Sequence, residues 1–400
     1  IYEVFNHNLR IGVFNLNSYF IHSSLLIHNQ AALVLPYFNF KLVHLPTFLI
    51  YFSTIGYFIV ILFEKKTKSD EVFYSILCIF ILLIKFNRLS EYGYDYVSQF
   101  ILLIVFHKIY FLNSDNSEVV KSILYFVLTV LIKPISLLFL PIMFFIIYKK
   151  GFLFYRSVSG SKYFLIFSLL IILFSSSFFK TGCIFYPLNK TCFSAENVSW
   201  SEKTHLISYS KIVSLWAKGY WVQDDSRYEK INDTKIFNQN YNWLKFWIEK
   251  HFFYKVFEFL LIICGSIILI YIYSIKEKSR FDNKSEEKLI IFLLSLSSII
   301  FWLNTVPQFR FGFSSIIIFI YLIFSYILNL NIHFSKKKFF HILILGLLVL
   351  NIKNINRIQS EFERNDFYKF KNFPFYNEKI IKNDYSNLNK RKIFHIEVLE

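Results

Sequence analysis

Charge, alanine, glycine and cysteine are all in short supply. Only 18% of the 400 residues are charged, against about a quarter in an ordinary soluble chain, and there are 10 glycines, 4 cysteines and 1 methionine. Low charge combined with 55% hydrophobic residues and a mean hydropathy of +0.44 excludes a soluble enzyme and a disordered tail protein. Four cysteines in a chain of this length exclude a disulfide-dense secreted scaffold. No glycine-rich dinucleotide fingerprint, Walker loop or HExxH motif occurs, so the soluble cofactor classes have no support and no cofactor is expected.

What the chain has instead is apolar runs, at about 44–63, 72–86, 96–112, 122–147, 163–179, 254–275, 289–306, 313–330 and 339–352. Several are long enough to span hydrocarbon. The fold class expected is all-α, a polytopic integral membrane protein with about 9–11 transmembrane or half-membrane helices and a large non-cytoplasmic loop. The 51 phenylalanines and 27 tyrosines are how an AT-rich coding sequence spells any membrane protein and carry no functional message. The formal charge of +17 is not a nucleic-acid footprint, because the lysines sit in short loops between apolar runs. The lipid bilayer is the expected partner; oligomeric state is not legible. The chain opens at Ile1 without methionine, which reads as a fragment lacking an upstream portion.

Run 122–147 carries Lys133-Pro134 at its midpoint. Proline interrupts the backbone ladder, and a lysine at the bilayer centre costs about 2.5–3.5 kcal/mol on insertion scales. A hairpin of two helices meeting there relieves both problems. It also places the lysine-rich loops 64–71, 148–162, 276–288 and 335–338 on one side, the cytoplasmic one by the positive-inside rule. The organisation expected is an interfacial segment over 1–43, membrane helices over 44–179, an outer loop over 180–253, membrane helices over 254–352 and a polar tail over 353–400. The stretch 17–35 reads as a helix lying on the membrane surface.

Candidate chemistry gathers on the outer side. The loop NRLSEYGYD (87–95) brings Arg88, Glu91 and Asp95 to a hydrocarbon boundary, where poor solvation suits a carboxylate to general-base work. The facing turn PQFRFG (307–312) offers Gln308 and Arg310, and the guanidinium either snorkels to water or pairs with an anion, a phosphate or a carboxylate such as Asp95. Arg10 and Lys133 are further cations, with snorkelling to water as the ordinary alternative for each. Cys183 and Cys192 open the outer loop at a spacing that closes a small disulfide ring and matches no zinc site, so no metal is expected. The tryptophans of that loop, Trp200 foremost, suit a sugar ring or a membrane anchor.

These features together resemble the GT-C superfamily of integral-membrane glycosyltransferases, to which protein O-mannosyltransferases and lipid A aminoarabinose transferases belong. The resemblance rests on the polar segment NLRIGVFNLNSYF (8–20), on the hairpin VLTVLIKPISLLFLP (127–141), and on the large outer loop. That hairpin is similar to the superfamily's Thr-Lys-Gly/Pro segment, with Leu-Ile at the Thr position. The order of SEYGYD, GCIFYPLNKTCF and PQFRFG also resembles an uncharacterised bacterial polytopic family allied to it. The resemblance implies sugar transfer from a polyprenyl-phosphate-linked donor to a cell-envelope acceptor, on the non-cytoplasmic face of the bacterial inner (plasma) membrane. It places the family's usual catalytic Asp upstream of Ile1, so Asp95 and Glu91 stand for a second acidic position. The other classes the sequence allows are a polysaccharide polymerase or ligase and a transporter or flippase of lipid-linked sugars.

Overall fold

The computed structural model describes residues 11–15, 24–33, 42–64, 69–86, 94–112, 115–157, 160–186, 188–273, 275–276, 285–328, 332–333, 336–364, 390–393 and 396–399. Arg10, Arg88 and Glu91 lie outside the described residues, as do 17–23 and 34–35 of the stretch read as a surface helix, within which α1 (Leu25–Ala32) is described.

The chain is all-α. It continues through α2 (Leu45–Phe63), α3 (Ser69–Ile84), α4 (Asp95–Phe111) and α5 (Asn116–Ile132). A 3-10 turn (Pro134–Phe139) then leads into α6 (Leu140–Ser157), and α7 (Gly160–Thr181) follows. Among the described residues five helical stretches are long and apolar enough to cross a membrane: 45–63, 134–151, 160–181, 243–272 and 286–305. The protein is a multi-pass integral membrane protein.

Helices α3 and α4 are shorter and lie inside the bundle, with nearly all of α4 buried against α2, α5 and its other neighbours. Their continuous apolar sequence follows from that position, since a helix surrounded by protein needs no polar face.

The break in run 122–147 falls where proline places it. The residue before a proline is pushed out of the helical region, and Lys133 is extended at φ −150°, ψ 113°. Its N–H closes the last turn of α5 on the Thr129 carbonyl at 2.8 Å. The chain then reverses, so that Lys150 Nζ at the far end of α6 reaches Asn116 Oδ1 at the start of α5, 3.2 Å away. At that same end Lys149 pairs with Glu287, Lys288 with Asp70, and Lys108 with Glu118. The lysine-bearing ends of the helices are therefore gathered at one pole of the bundle, and Lys133 sits at the other.

The segment that follows α7 is folded. Cys183 and Cys192 form a disulfide, flanked by backbone hydrogen bonds from Ile184 to Thr191 and from Phe193 to Gly182. Gly182 has φ +74°, and a Cβ there would stand 2.3 Å from Ser201 Cβ, so only glycine fits. Helices α8 (Lys203–Ala217) and α9 (Thr234–Asn238) follow. The segment was expected to run to 253, but it ends earlier. α10 (Trp243–Trp247), a π-helix (Ile248–Phe257) and α11 (Glu258–Tyr273) succeed one another, because aromatic residues at 243–253 extend the apolar run upstream. Reduction of the disulfide releases a ring of sequence separation 9 and should lower stability by about 2–3 kcal/mol in the chain-entropy picture. Thermal unfolding with and without dithiothreitol measures it, and a Cys183→Ser/Cys192→Ser variant indifferent to the reductant is the control.

Two helices, α12 (Ser285–Thr305) and α13 (Phe309–Leu328), complete the bundle, with a two-residue antiparallel pairing of β1 (Ile275–Lys276) and β2 (Ile332–His333). Helix α14 (Lys336–Arg364) includes the first residues of the polar tail expected from 353. The chain divides into two compact units, Ile1–Leu350 and Asn351–Glu400, and the second contains the hairpin of β3 (Lys390–Ile393) and β4 (Ile396–Leu399).

Candidate functional site

Three charged side chains from distant parts of the sequence meet at the pole opposite the lysines. Asp95 is the first residue of α4, Lys133 ends α5, and Arg310 lies in the first turn of α13. Asp95 Oδ1 is 2.7 Å from Lys133 Nζ, and Asp95 Oδ2 is 3.3 Å from Arg310 Nε. The Asp95 side chain is buried and that of Lys133 is 13% exposed, whereas Arg310 is 42% exposed. Aromatic rings supply the walls. Lys133 Nζ lies 4.4 Å from the Tyr94 ring centroid and 5.1 Å from that of Phe311, and the Arg310 guanidinium lies 5.0 Å from Phe311 and 5.4 Å from Trp216.

The backbone adds to the field. The first turns of α4 and α13 start here and each helix N-terminus carries a partial positive charge, while the C-terminus of α5 at Lys133 brings a partial negative one. Asp95 is well placed against that field, while Lys133 and Arg310 add to it. The sequence offered Asp95 as a poorly solvated carboxylate and as one partner for Arg310; in the structure each carboxylate oxygen faces a cation, Lys133 as well as Arg310. Two cations share one carboxylate, so this trio is net positive, and its exposed member is the arginine.

Packing holds the arginine in place. Trp247 Nε1 donates to the Pro307 carbonyl at 2.7 Å, and Trp302 Nε1 donates to the Gln308 carbonyl at 2.9 Å. A Cβ at Gly312 would stand 2.6 Å from the Trp302 ring, so the bare backbone of that turn is what lets the indole close over it.

The sequence-predicted residues divide accordingly. Asp95, Lys133 and Arg310 are brought together. Gln308 is buried, and its amide donates to the Ala217 carbonyl at 3.3 Å, fastening α8 to the turn rather than facing a ligand. Trp200 is elsewhere. Its indole N–H donates to the Phe178 carbonyl at 3.2 Å, its ring packs edge-on to Phe178 and it leans on Gly12, which makes it a scaffold residue of the disulfide-bearing segment. The tryptophan at the site is Trp216. Sequence reasoning also passed over Lys85, whose Nζ lies 4.7–5.8 Å from the rings of Tyr96, Phe259, Phe309 and Phe313, of which Tyr96 and Phe309 adjoin Asp95 and Arg310 in the chain. Its position at the end of an apolar run was the available signal.

Above the site, burial holds the Lys218 amine below its ordinary range; it donates to Asn238 Oδ1 at 2.9 Å and lies over the Trp243 ring. Among the described residues no group of three His, Cys, Asp or Glu side chains is arranged to hold a metal ion.

The sequence profile of a protein family described as "Domain of unknown function (DUF8201)" matches residues 11–317. The chain belongs to that family. The matched region contains Asp95, Lys133, Arg310, Trp216 and both cysteines, so the DUF8201 unit includes the whole charged trio and the segment above it. No curated protein and no solved structure matches the chain.

Proposed function

We propose that this DUF8201 protein is a membrane glycosyltransferase that moves a sugar from a polyprenyl-phosphate-linked donor to a cell-envelope acceptor. The observation that carries the reading is the Asp95–Lys133–Arg310 trio beside the N-termini of α4 and α13. Near-surface charges about 4 Å apart interact by about 4 kcal/mol at an effective dielectric near 20, so a phosphate entering beside Arg310 is held by charge that the free protein only half neutralises. The positive-inside rule puts the lysine pole in the cytoplasm of a bacterial inner membrane and the trio at the opposite, non-cytoplasmic surface.

In the proposed step the acceptor hydroxyl oxygen attacks the anomeric carbon as the bond from that carbon to the phosphate oxygen breaks. The electron pair leaves with the lipid phosphate, whose charge Arg310 and Lys133 stabilise. As those cations turn to the phosphate, Asp95 is released to accept the hydroxyl proton.

The test uses the full chain in lipid nanodiscs with radiolabelled prenyl-phosphate sugars. Label reaching the acceptor with release of prenyl phosphate is the expected result, abolished in an Asp95→Asn/Arg310→Ala variant. Equal transfer by that variant and wild type overturns the site. Passage of intact lipid-linked sugar across sealed vesicles, without cleavage, overturns the reaction in favour of a flippase.

A further inference from the structure

Two exposed tryptophans lie on the segment above the site, and they differ in what surrounds them. Trp221 is 53% exposed, and its one described ring partner is Tyr220, edge-on at 5.0 Å. Trp216 is 46% exposed, yet it is fixed on both sides. Ser214 Oγ donates to the Thr305 carbonyl at 3.0 Å, and the Gln308 amide holds the Ala217 carbonyl. Residues 214 and 217 are three apart and share one face of α8, so the last turn of that helix is clamped to the turn that carries Arg310. The clamp sets the Trp216 ring 5.4 Å from the guanidinium and leaves almost half of its surface open. An exposed indole carried on a clamped helix turn beside an exposed guanidinium leaves little backbone freedom to be lost when something stacks on it.

We propose that Trp216 is the platform on which the sugar ring of the donor stacks while Arg310 holds the adjoining phosphate, making it a positioning and specificity residue. The proposal rests on the lipid-phosphate sugar reading above and adds to it where the sugar sits. The C–H face of a pyranose matches the electron-rich indole face. The guanidinium lies 5.4 Å from the ring centroid, close enough for one sugar phosphate to touch both side chains. Two plainer roles make different predictions. A membrane anchor has no ligand dependence. A ring that only steadies Arg310 by cation–π contact affects phosphate with or without a sugar.

The experiment compares binding of farnesyl phosphate with binding of its glucose, mannose and N-acetylglucosamine phosphodiesters to the full chain in nanodiscs, by isothermal calorimetry. Wild type is expected to bind at least one sugar-bearing lipid more tightly than farnesyl phosphate. Trp216→Ala should lose about 5- to 10-fold on that lipid alone, Trp216→Phe should keep most of the preference, and Trp221→Ala should keep all of it. An unchanged preference in Trp216→Ala overturns the platform and leaves the sugar-site reading standing. An equal loss on both lipids also overturns it, assigning the ring to Arg310 alone. Wild type that binds farnesyl phosphate but prefers no sugar-bearing lipid overturns the platform and the sugar reading together.

Discussion

Asp95→Asn is expected to lower transfer by at least about 100-fold, within the range for loss of a general base, and to destabilise the folded chain. The two effects are separable because the two cations differ in burial. Lys133 is enclosed, and without Asp95 its charge stays inside the bundle with the rings of Tyr94 and Phe311. Removing one partner of a buried ion pair typically costs about 3–5 kcal/mol, whereas replacing both with apolar groups is close to neutral. An Asp95→Asn/Lys133→Met variant should therefore regain most of the stability lost in Asp95→Asn and none of the activity. Arg310 is 42% exposed and regains water when its carboxylate is removed. Arg310→Ala should accordingly cost less than about 1 kcal/mol of stability, as exposed pairs do, while transfer still falls steeply. Detergent-solubilised thermal unfolding and nanodisc transfer assays on the same preparations give both readouts. The assignment fails if Arg310→Ala unfolds as readily as Asp95→Asn while its transfer is untouched, since the trio would then be a structural brace.

The parts of this site that were legible in the sequence are those in which a local rule breaks. Lys133-Pro134 interrupts an apolar run, Arg310 sits between aromatics in a short turn, and Asp95 begins a run whose loop is crowded with charge. Each is costly unless something compensates, and the compensation turned out to be mutual. Asp95 and Arg310, 215 residues apart, could be named as possible partners because their loops face one another, but no local pattern shows that Lys133 joins the same carboxylate. Trp200 and Trp216 show the same limit. Both are tryptophans in one extramembrane segment, and only the clamp from Ser214 and Gln308 distinguishes the one at the site. The run 96–112 was read as a plain span although it contains His107 and Lys108. Uniform apolarity hides whether a helix faces lipid or protein, and α4 proved to be an interior helix, where such groups can find partners.

Those partners carry the second large expected effect. His107 is fully buried, with Nδ1 2.7 Å from the Tyr57 hydroxyl and Nε2 3.0 Å from Glu71 Oε1. The rings of Phe58, Tyr74 and Phe111 pack around the imidazole. Next to it Lys108 pairs with Glu118 and lies over the Tyr57 ring, so α2, α3, α4 and α5 are joined by polar contacts within a few residues of one another. His107→Ala takes the shared partner from Tyr57 and Glu71 and opens a cavity the size of a ring. At about 1–3 kcal/mol for each buried polar group deprived of its partner, with the lost packing added, a destabilisation of about 3–5 kcal/mol is expected. His107→Gln, which keeps a polar side chain of similar reach, should recover part of it. Positions 95 and 107 stand twelve residues apart on one helix, about 18 Å at 1.5 Å per residue. Transfer per folded molecule should consequently be unchanged in both variants at a temperature where they remain folded. Thermal unfolding and active-fraction-corrected transfer measure the two quantities together. A His107→Ala chain that melts with wild type would show that the His107 contacts add nothing to what packing and the Lys108–Glu118 pair supply. A chain that melts early and also turns over slowly when folded would show instead that the lysine pole and the Asp95 site are coupled through α4.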